Sequence, residues 1–192
     1  MNHSLQRSKA SERNFFELFG LEPVFGLDLT SLDKNYRDMQ MRVHPDKFAR
    51  ASSVEQRQAA QWAALANEAY QTLRQPLTRA HYLVQLNDCE PSTCKVSGSF
   101  LAKQMDLRET LATARQYRDV HTIQQLDTHL HHDISELQGH LALQLDNAHD
   151  YARAAGTVQM LLFLDKLARE IGDALEALEE ALEEALEDAL ES

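Results

Sequence analysis

Two groups of side chains in this 192-residue chain have types and spacings that could do chemistry. One is His44-Pro45-Asp46, an imidazole and a carboxylate either side of a proline. The other is a run of histidines, His121, His129, His131, His132 and His140, in which His129 and His132 share a helical face and Asp133 follows. Such a pair can grip a metal ion, but a site needs a third convergent ligand, and no HExxH spacing supplies one. A solvated helix face is the better account. A metal-dependent phosphohydrolase built on His131-His132-Asp133 fails likewise, because its other histidines and aspartates are missing. Cys89 and Cys94 are too few for a disulfide scaffold or a four-thiolate zinc site, and read as two free thiols. Neither a metal nor a cofactor is expected.

His44-Pro45-Asp46 suits docking better than catalysis. Pro45 pre-sets the loop backbone and lowers the entropy lost on binding. His44 offers one donor and one acceptor, and Asp46 offers a carboxylate, to a partner's polar groups. Lys34, Arg37, Arg42 and Lys47 would steer the loop toward an acidic surface. No third polar residue beside the tripeptide orients a nucleophile or a general base, so hydrolysis is rejected and no enzyme is expected.

The elements that must position these residues are helices. Ser11 can cap a helix holding Phe15, Phe16, Leu18 and Phe19 that ends at Gly20. Thr30, with Asp33 at the third position, caps a second helix to Val43, with Leu32, Tyr36, Met39 and Val43 inward and Pro45 as its stop. Ser53, with Gln56, caps a third to Leu73, with Trp62, Leu65, Ala66, Ala69, Tyr70 and Leu73 as its apolar face; Leu77–Leu86 makes a fourth. Trp62 and Tyr70 are expected in the core. Beyond residues 87–99, which are rich in turn formers, three long helices follow. The first spans Phe100–Tyr117, with Leu101, Met105, Leu107, Leu111 and Ala114 as apolar positions. The second carries a heptad seam, Ile123, Leu126, Leu130, Ile134, Leu137, Leu141 and Leu145. Asn147, with Asp150, caps the third, whose seam runs from Val158 to Leu182. Its end is low-complexity, with ten acidic residues and no basic one from Glu170 onward, and is expected to fray against the helix dipole.

Composition agrees with an all-α protein: 43% hydrophobic, 26% charged and only 7% aromatic residues. The net charge of −11 leaves little material for a nucleic-acid-binding face. No apolar run approaches the length of about eighteen residues that spans a membrane, and the N-terminus lacks a secretory h-region. A reducing cytoplasm is the expected home. Residues 1–80 carry eleven basic and nine acidic side chains, whereas 81–192 carry eight and twenty-one, which suggests two different partners.

The helix hairpin with its exposed His44-Pro45-Asp46 loop and the run Asn67-Glu68-Ala69-Tyr70-Gln71-Thr72-Leu73 resembles the J-domain of DnaJ-like co-chaperones. The whole chain is similar to HscB-type co-chaperones of iron–sulfur cluster assembly through NFFELFGL (14–21), HPDKFA (44–49), ANEAYQTLRQPLTR (66–79), AHYLVQL (80–86), FLAKQMDLRETL (100–111) and LFLDKL (162–167). This resemblance implies a J-domain at 11–86, a linker at 87–99 and a scaffold-binding three-helix bundle at 100–192 with an acidic extension, in an L-shaped two-domain arrangement. It also implies that the J-domain, through Lys34, Arg37, Arg42, His44, Pro45, Asp46 and Lys47, stimulates an HscA-type, DnaK-like ATPase. The bundle would hold an IscU-type scaffold. A J-protein adaptor for a different client is the alternative reading, and a helical enzyme with a histidine-centred metal site is the alternative from another class.

The family's scaffold patch, carried over position by position, falls on Leu101, Ala102, Met105, Asp106, Glu109 and Thr113, with Phe163 across the bundle. Helical spacing puts 102, 105, 106, 109 and 113 on one face. Three positions depart from the family pattern: Ala102 where Met is frequent, Lys103 where an acid is common, and Thr113 where Glu is often seen. The expected consequence is scaffold binding that persists but is weaker, or is shifted in geometry. The linker also lacks the Asp often placed before Phe100, a cap that Ser97 or Ser99 can replace.

Overall fold

A computed structural model describes residues 14–48 and 51–191, and all regular structure among them is helical. The chain divides into two compact units, Met1–Tyr82 and Leu83–Ser192.

In the first unit, α1 (Phe15–Leu18) is capped by Asn14, whose side chain accepts from the Glu17 amide at 2.8 Å. The expected cap Ser11 lies outside the described residues. Helix α2 (Leu29–Val43) starts earlier than expected because Asp28, not Thr30, caps it. One Asp28 oxygen takes the Thr30 amide at 3.0 Å and the other takes the Ser31 hydroxyl at 2.6 Å, which a single threonine hydroxyl cannot match. Helix α3 (Ser53–Arg74) is capped by Ser52 rather than Ser53. Glu55 completes a capping box by accepting the Ser52 amide at 2.9 Å, and Gln56 reaches back to the Ala51 carbonyl instead. Helix α4 (Pro76–Leu86) opens on Pro76, which lacks the amide that an N-terminal position would leave unsatisfied.

The α2–α3 hairpin closes on Leu32 from one side and Ala59, Ala66, Ala69 and Leu73 from the other, with Phe16, Phe19 and Phe25 buried in the same unit. Trp62 is 41% exposed and not in the core as expected, although it shares the helical arc of the buried positions 59, 66, 69 and 73. Tyr70 instead stacks on Tyr36, with ring centroids 3.9 Å apart and planes 10° from parallel. Their hydroxyls donate to Asp33 and Asn67, each at 2.8 Å, and Arg74 pairs with Asp33 at 2.7 Å and also donates to the Tyr70 hydroxyl.

The second unit is a bundle of α5 (Gly98–Tyr117), α6 (Val120–Ala142) and α7 (Tyr151–Glu191). Its core comprises Leu111, Ala114, Ile123, Leu130, Leu164, Leu167, Ile171 and Ala174, with Leu126, Ile134 and Leu137 partly buried against it. The heptad seam of α6 therefore faces inward as its spacing predicts. A π turn, Leu143–Asn147, carries that seam on to bury Leu145. It also absorbs Asn147, so the cap of α7 falls to Asp150, which accepts the Arg153 amide at 3.0 Å. Ser97 caps α5 by accepting the Phe100 amide at 3.2 Å. The acidic end of α7, expected to fray, is helical to Glu191. Alanine, leucine and glutamate are strong helix formers, and their summed propensity carries the helix on.

Candidate functional site

The first site is built where α2 ends. Pro45 disfavours helix in the residue before it, so α2 stops at Val43 and His44 turns to an extended backbone with ψ of 131°. Pro45–Phe48 then form a 3₁₀ turn, closed by the Lys47 amide donating to the His44 carbonyl at 3.0 Å. Positions 34, 37, 41 and 44 advance by three, four and three, one face of α2. On that face lies an open groove of 760 Å³ with mostly apolar walls, lined by Lys34, Arg37, Asp38, Gln40, Met41, His44 and Lys47. Four of the seven residues expected to meet the chaperone thus share one concavity. Arg42 is exposed but stands elsewhere, over a depression with Leu18, Phe19, Asn35 and Met39. The backbone of Pro45 and Asp46 belongs to the 3₁₀ turn, while their side chains lie outside what is described. Met41, 58% exposed in the groove, was missed by sequence reasoning, although its place in the 34-37-41-44 stripe is the signal that marks it.

The second site lies along α5. Leu101 is 40% exposed and Met105 72% exposed, so neither belongs to the bundle core that their residue types suggest. Ala102, Asp106, Glu109 and Thr113 are exposed beside them. Phe163 of α7 is half-buried and meets Phe100 of α5 edge to face at 6.3 Å. Lower on α5, Asp106, Glu109 and Thr113 line a shallow 390 Å³ groove with Tyr117, Asp119 and Thr122. These last three were missed by sequence reasoning; the 106-109-113-117 stripe points to Tyr117, but nothing linear points to the start of α6. The Thr122 hydroxyl, then its amide, hold the Asp119 carboxyl below the usual range, so it is anionic at neutral pH.

Two departures from the family pattern acquire local roles. Lys103 turns to α6 and pairs with Asp133 at 2.6 Å. Its ammonium thereby occupies the carboxylate that a metal reading of His129 and His132 would need, and no group of three potential ligands among the described residues could hold a metal ion. Two histidines of α6 contact acids one turn away, His131 with Asp127 at 3.2 Å and His132 with Glu136 at 3.7 Å. Thr113 donates within its own helix to the Glu109 carbonyl at 2.9 Å. Among the described residues no helix is long and apolar enough to cross a membrane.

Comparison with known proteins places the chain in a family. Residues 96–172 match a family described as the HSCB C-terminal oligomerisation domain. The chain is 41% identical to the co-chaperone protein HscB homolog of Aromatoleum aromaticum over 88% of its own length and 97% of that protein. It is 39% identical to the homolog of Neisseria meningitidis over 84% of its length and 98% of that protein. Among solved structures, the chaperone HscB from Vibrio cholerae superposes with a TM-score of 0.77 at 37% identity, over 86% of this chain and 99% of that one. Human co-chaperone HscB shares the fold, with a TM-score of 0.77 at 24% identity, over 84% of this chain and 82% of its own. Similarity of this depth over both units, with the His44-Pro45-Asp46 turn in the first and the exposed α5 face in the second, makes the chain a member of the HscB family of co-chaperones.

Proposed function

We infer that this co-chaperone couples two bound proteins, an HscA-type, DnaK-like ATPase at the first unit and an IscU-type iron–sulfur scaffold at the second. The groove that gathers Lys34, Arg37, His44 and Lys47 beside the 3₁₀ turn carries this reading. Its cations steer it to an acidic surface, and its apolar walls supply contact area once the surface is met. The proline-set turn keeps the entropy lost on docking low. The scaffold sits on Leu101, Ala102 and Met105 with Phe163, and Asp106, Glu109 and Thr113 continue the surface. Tethering the scaffold raises its local concentration at the chaperone, and docking of the turn triggers ATP hydrolysis there. No bond is made or broken on the co-chaperone. The two free thiols, Cys89 and Cys94, suit a reducing cytoplasm.

The test is the steady-state ATPase rate of the cognate chaperone with scaffold present. The intact protein stimulates it, and His44→Gln removes that stimulation while scaffold binding persists. Full stimulation by a folded His44→Gln protein would place the trigger elsewhere.

A further inference from the structure

Among the described residues of the bundle, one buried polar side chain has no hydrogen-bond partner. Gln104, on α5, is only 3% exposed, and both its amide oxygen and its amide nitrogen are buried without a hydrogen-bond partner. Buried polar atoms are nearly always paired, because an unmade bond costs the full desolvation of the group. An orphan that persists in a well-packed bundle therefore calls for a reason outside the bundle.

Its position supplies one. Phe100, Gln104 and Arg108 stand at steps of four along α5 and form one stripe. Phe100 contacts Phe163 of α7, and Arg108 pairs with Glu170 of α7 at 3.1 Å. Gln104 lies midway, so its stripe faces α7 in the seam between these two contacts. It is also the immediate neighbour of Met105, an exposed apolar side chain of the α5 face, and sits three residues from Leu101. The orphaned amide thus adjoins the surface assigned to the scaffold and the aromatic that closes it.

We propose that Gln104 is a scaffold-binding residue stored in the α5–α7 seam, whose amide pairs with a backbone peptide group of the docked scaffold. This rests on the scaffold reading of the α5 face. In the free protein the amide destabilises the seam. Docking beside Phe163 loosens the seam at this level, and the amide oxygen and nitrogen gain a donor and an acceptor that the bundle does not provide. A peptide group is the fitting partner because it offers one donor and one acceptor, matching the carboxamide. The bundle gives up stability to hold this group, a trade between stability and function.

The substitution Gln104→Met tests this, since it keeps the length of the side chain and removes both polar atoms. Thermal melting of the full chain and calorimetric titration with the scaffold protein are measured together, with Met105→Ala as the reference. The expected result has opposite signs: the melting temperature rises, and the scaffold Kd weakens at least tenfold. A melting temperature that falls would show that the bundle itself satisfies the amide, through a buried water for example, and would overturn the proposal. So would an unchanged Kd in Gln104→Met when Met105→Ala weakens binding. If neither substitution alters the Kd, the scaffold reading of the α5 face fails first and takes this proposal with it. Gln104→Glu, which keeps the shape but loses the donor at neutral pH, is expected to weaken binding as Met does; wild-type affinity in that variant would also overturn it.

Discussion

The two units solve opposite problems with different material. The first must present a short, stiff turn, and it joins α2 to α3 through alanines, a stacked tyrosine pair and a polar network of Asp33, Asn67, Tyr70 and Arg74 that is partly open to water. The second must present a long helical face, and its leucine and isoleucine seam buries enough apolar surface to leave Leu101 and Met105 outside. A site at the end of a helix needs rigidity at one point. A site along a helix needs apolar side chains withheld from the core, and only a bundle with a core to spare can withhold them.

The sharpest way to break this contrast is to remove core from the bundle. Leu167 is 1% exposed, and Leu167→Ala is expected to cost the second unit about 2–5 kcal/mol by the arithmetic of cavity formation. Urea unfolding followed by circular dichroism should show that loss, while the single Trp62, exposed on α3, reports whether the first unit unfolds with it or separately. A loss below about 1 kcal/mol would mean that the seam is not what holds the bundle.

A smaller change sharpens the account of the exposed face. Ala102→Met restores the larger apolar side chain frequent in the family and is expected to tighten scaffold binding roughly fivefold, about 1 kcal/mol. Calorimetry decides it, and an unchanged Kd would remove Ala102 from the interface. On the other unit, Tyr70→Phe deletes the hydroxyl that donates to Asp33 and accepts from Arg74. The expected cost is about 0.5–1.5 kcal/mol, confined to the first unit and leaving scaffold affinity untouched. Burial, and then the Asp33 contact, push that phenol above its usual range, so the hydroxyl stays protonated and the effect is flat through neutral pH.

The smallest effects are the pH responses of the caps, one in each unit. Hydrogen bonds from Ser31 and Thr30 lower the Asp28 carboxyl, and those from Thr122 lower Asp119. A lowered folded-state value means that the stabilisation is complete above the unfolded carboxylate value, about 3.9, and is lost as pH falls through the folded one. The gap in urea midpoint between the parent and Asp28→Ala, or Asp119→Ala, should thus be present at about pH 7 and narrower at about pH 3. A gap that widens in acid would contradict the capping geometry.

Much of the fold was legible in the sequence because helix periodicity is local. The α6 seam, the stop at Pro45 and the three-helix count follow from spacing alone. Caps were misread by one to three residues wherever two candidates adjoin: Asp28 displaced Thr30, Ser52 displaced Ser53, and Asp150 displaced Asn147. In each case the winner is the residue whose side chain reaches two donors or gains a reciprocal carboxylate, or the one left outside a π turn. Trp62 shares the helical arc of the buried Ala59, Ala66, Ala69 and Leu73 yet is exposed, because spacing within one helix does not reveal whether a neighbouring element covers a given position.

The candidate sites divide along the same line. The proposed trigger is three consecutive residues whose chemistry is visible without any fold, and the basic positions around it follow from the helix they share. Arg42, adjacent in sequence to Met41, nevertheless leaves the groove, and Met41 joins it. On α5 the resemblance to relatives supplied the positions, but helical spacing could not say whether Leu101 and Met105 face the core or water. By itself the sequence determined the element types, the turn at Pro45 and the charge of each surface, since these depend on contacts a few residues apart. Only the tertiary structure decided which apolar stripe is buried, which carboxylates meet across α5 and α6, and that Gln104 is sealed without a partner. Those outcomes depend on the rotation of each helix about its axis, which is set when all three helices pack together and not by any one of them.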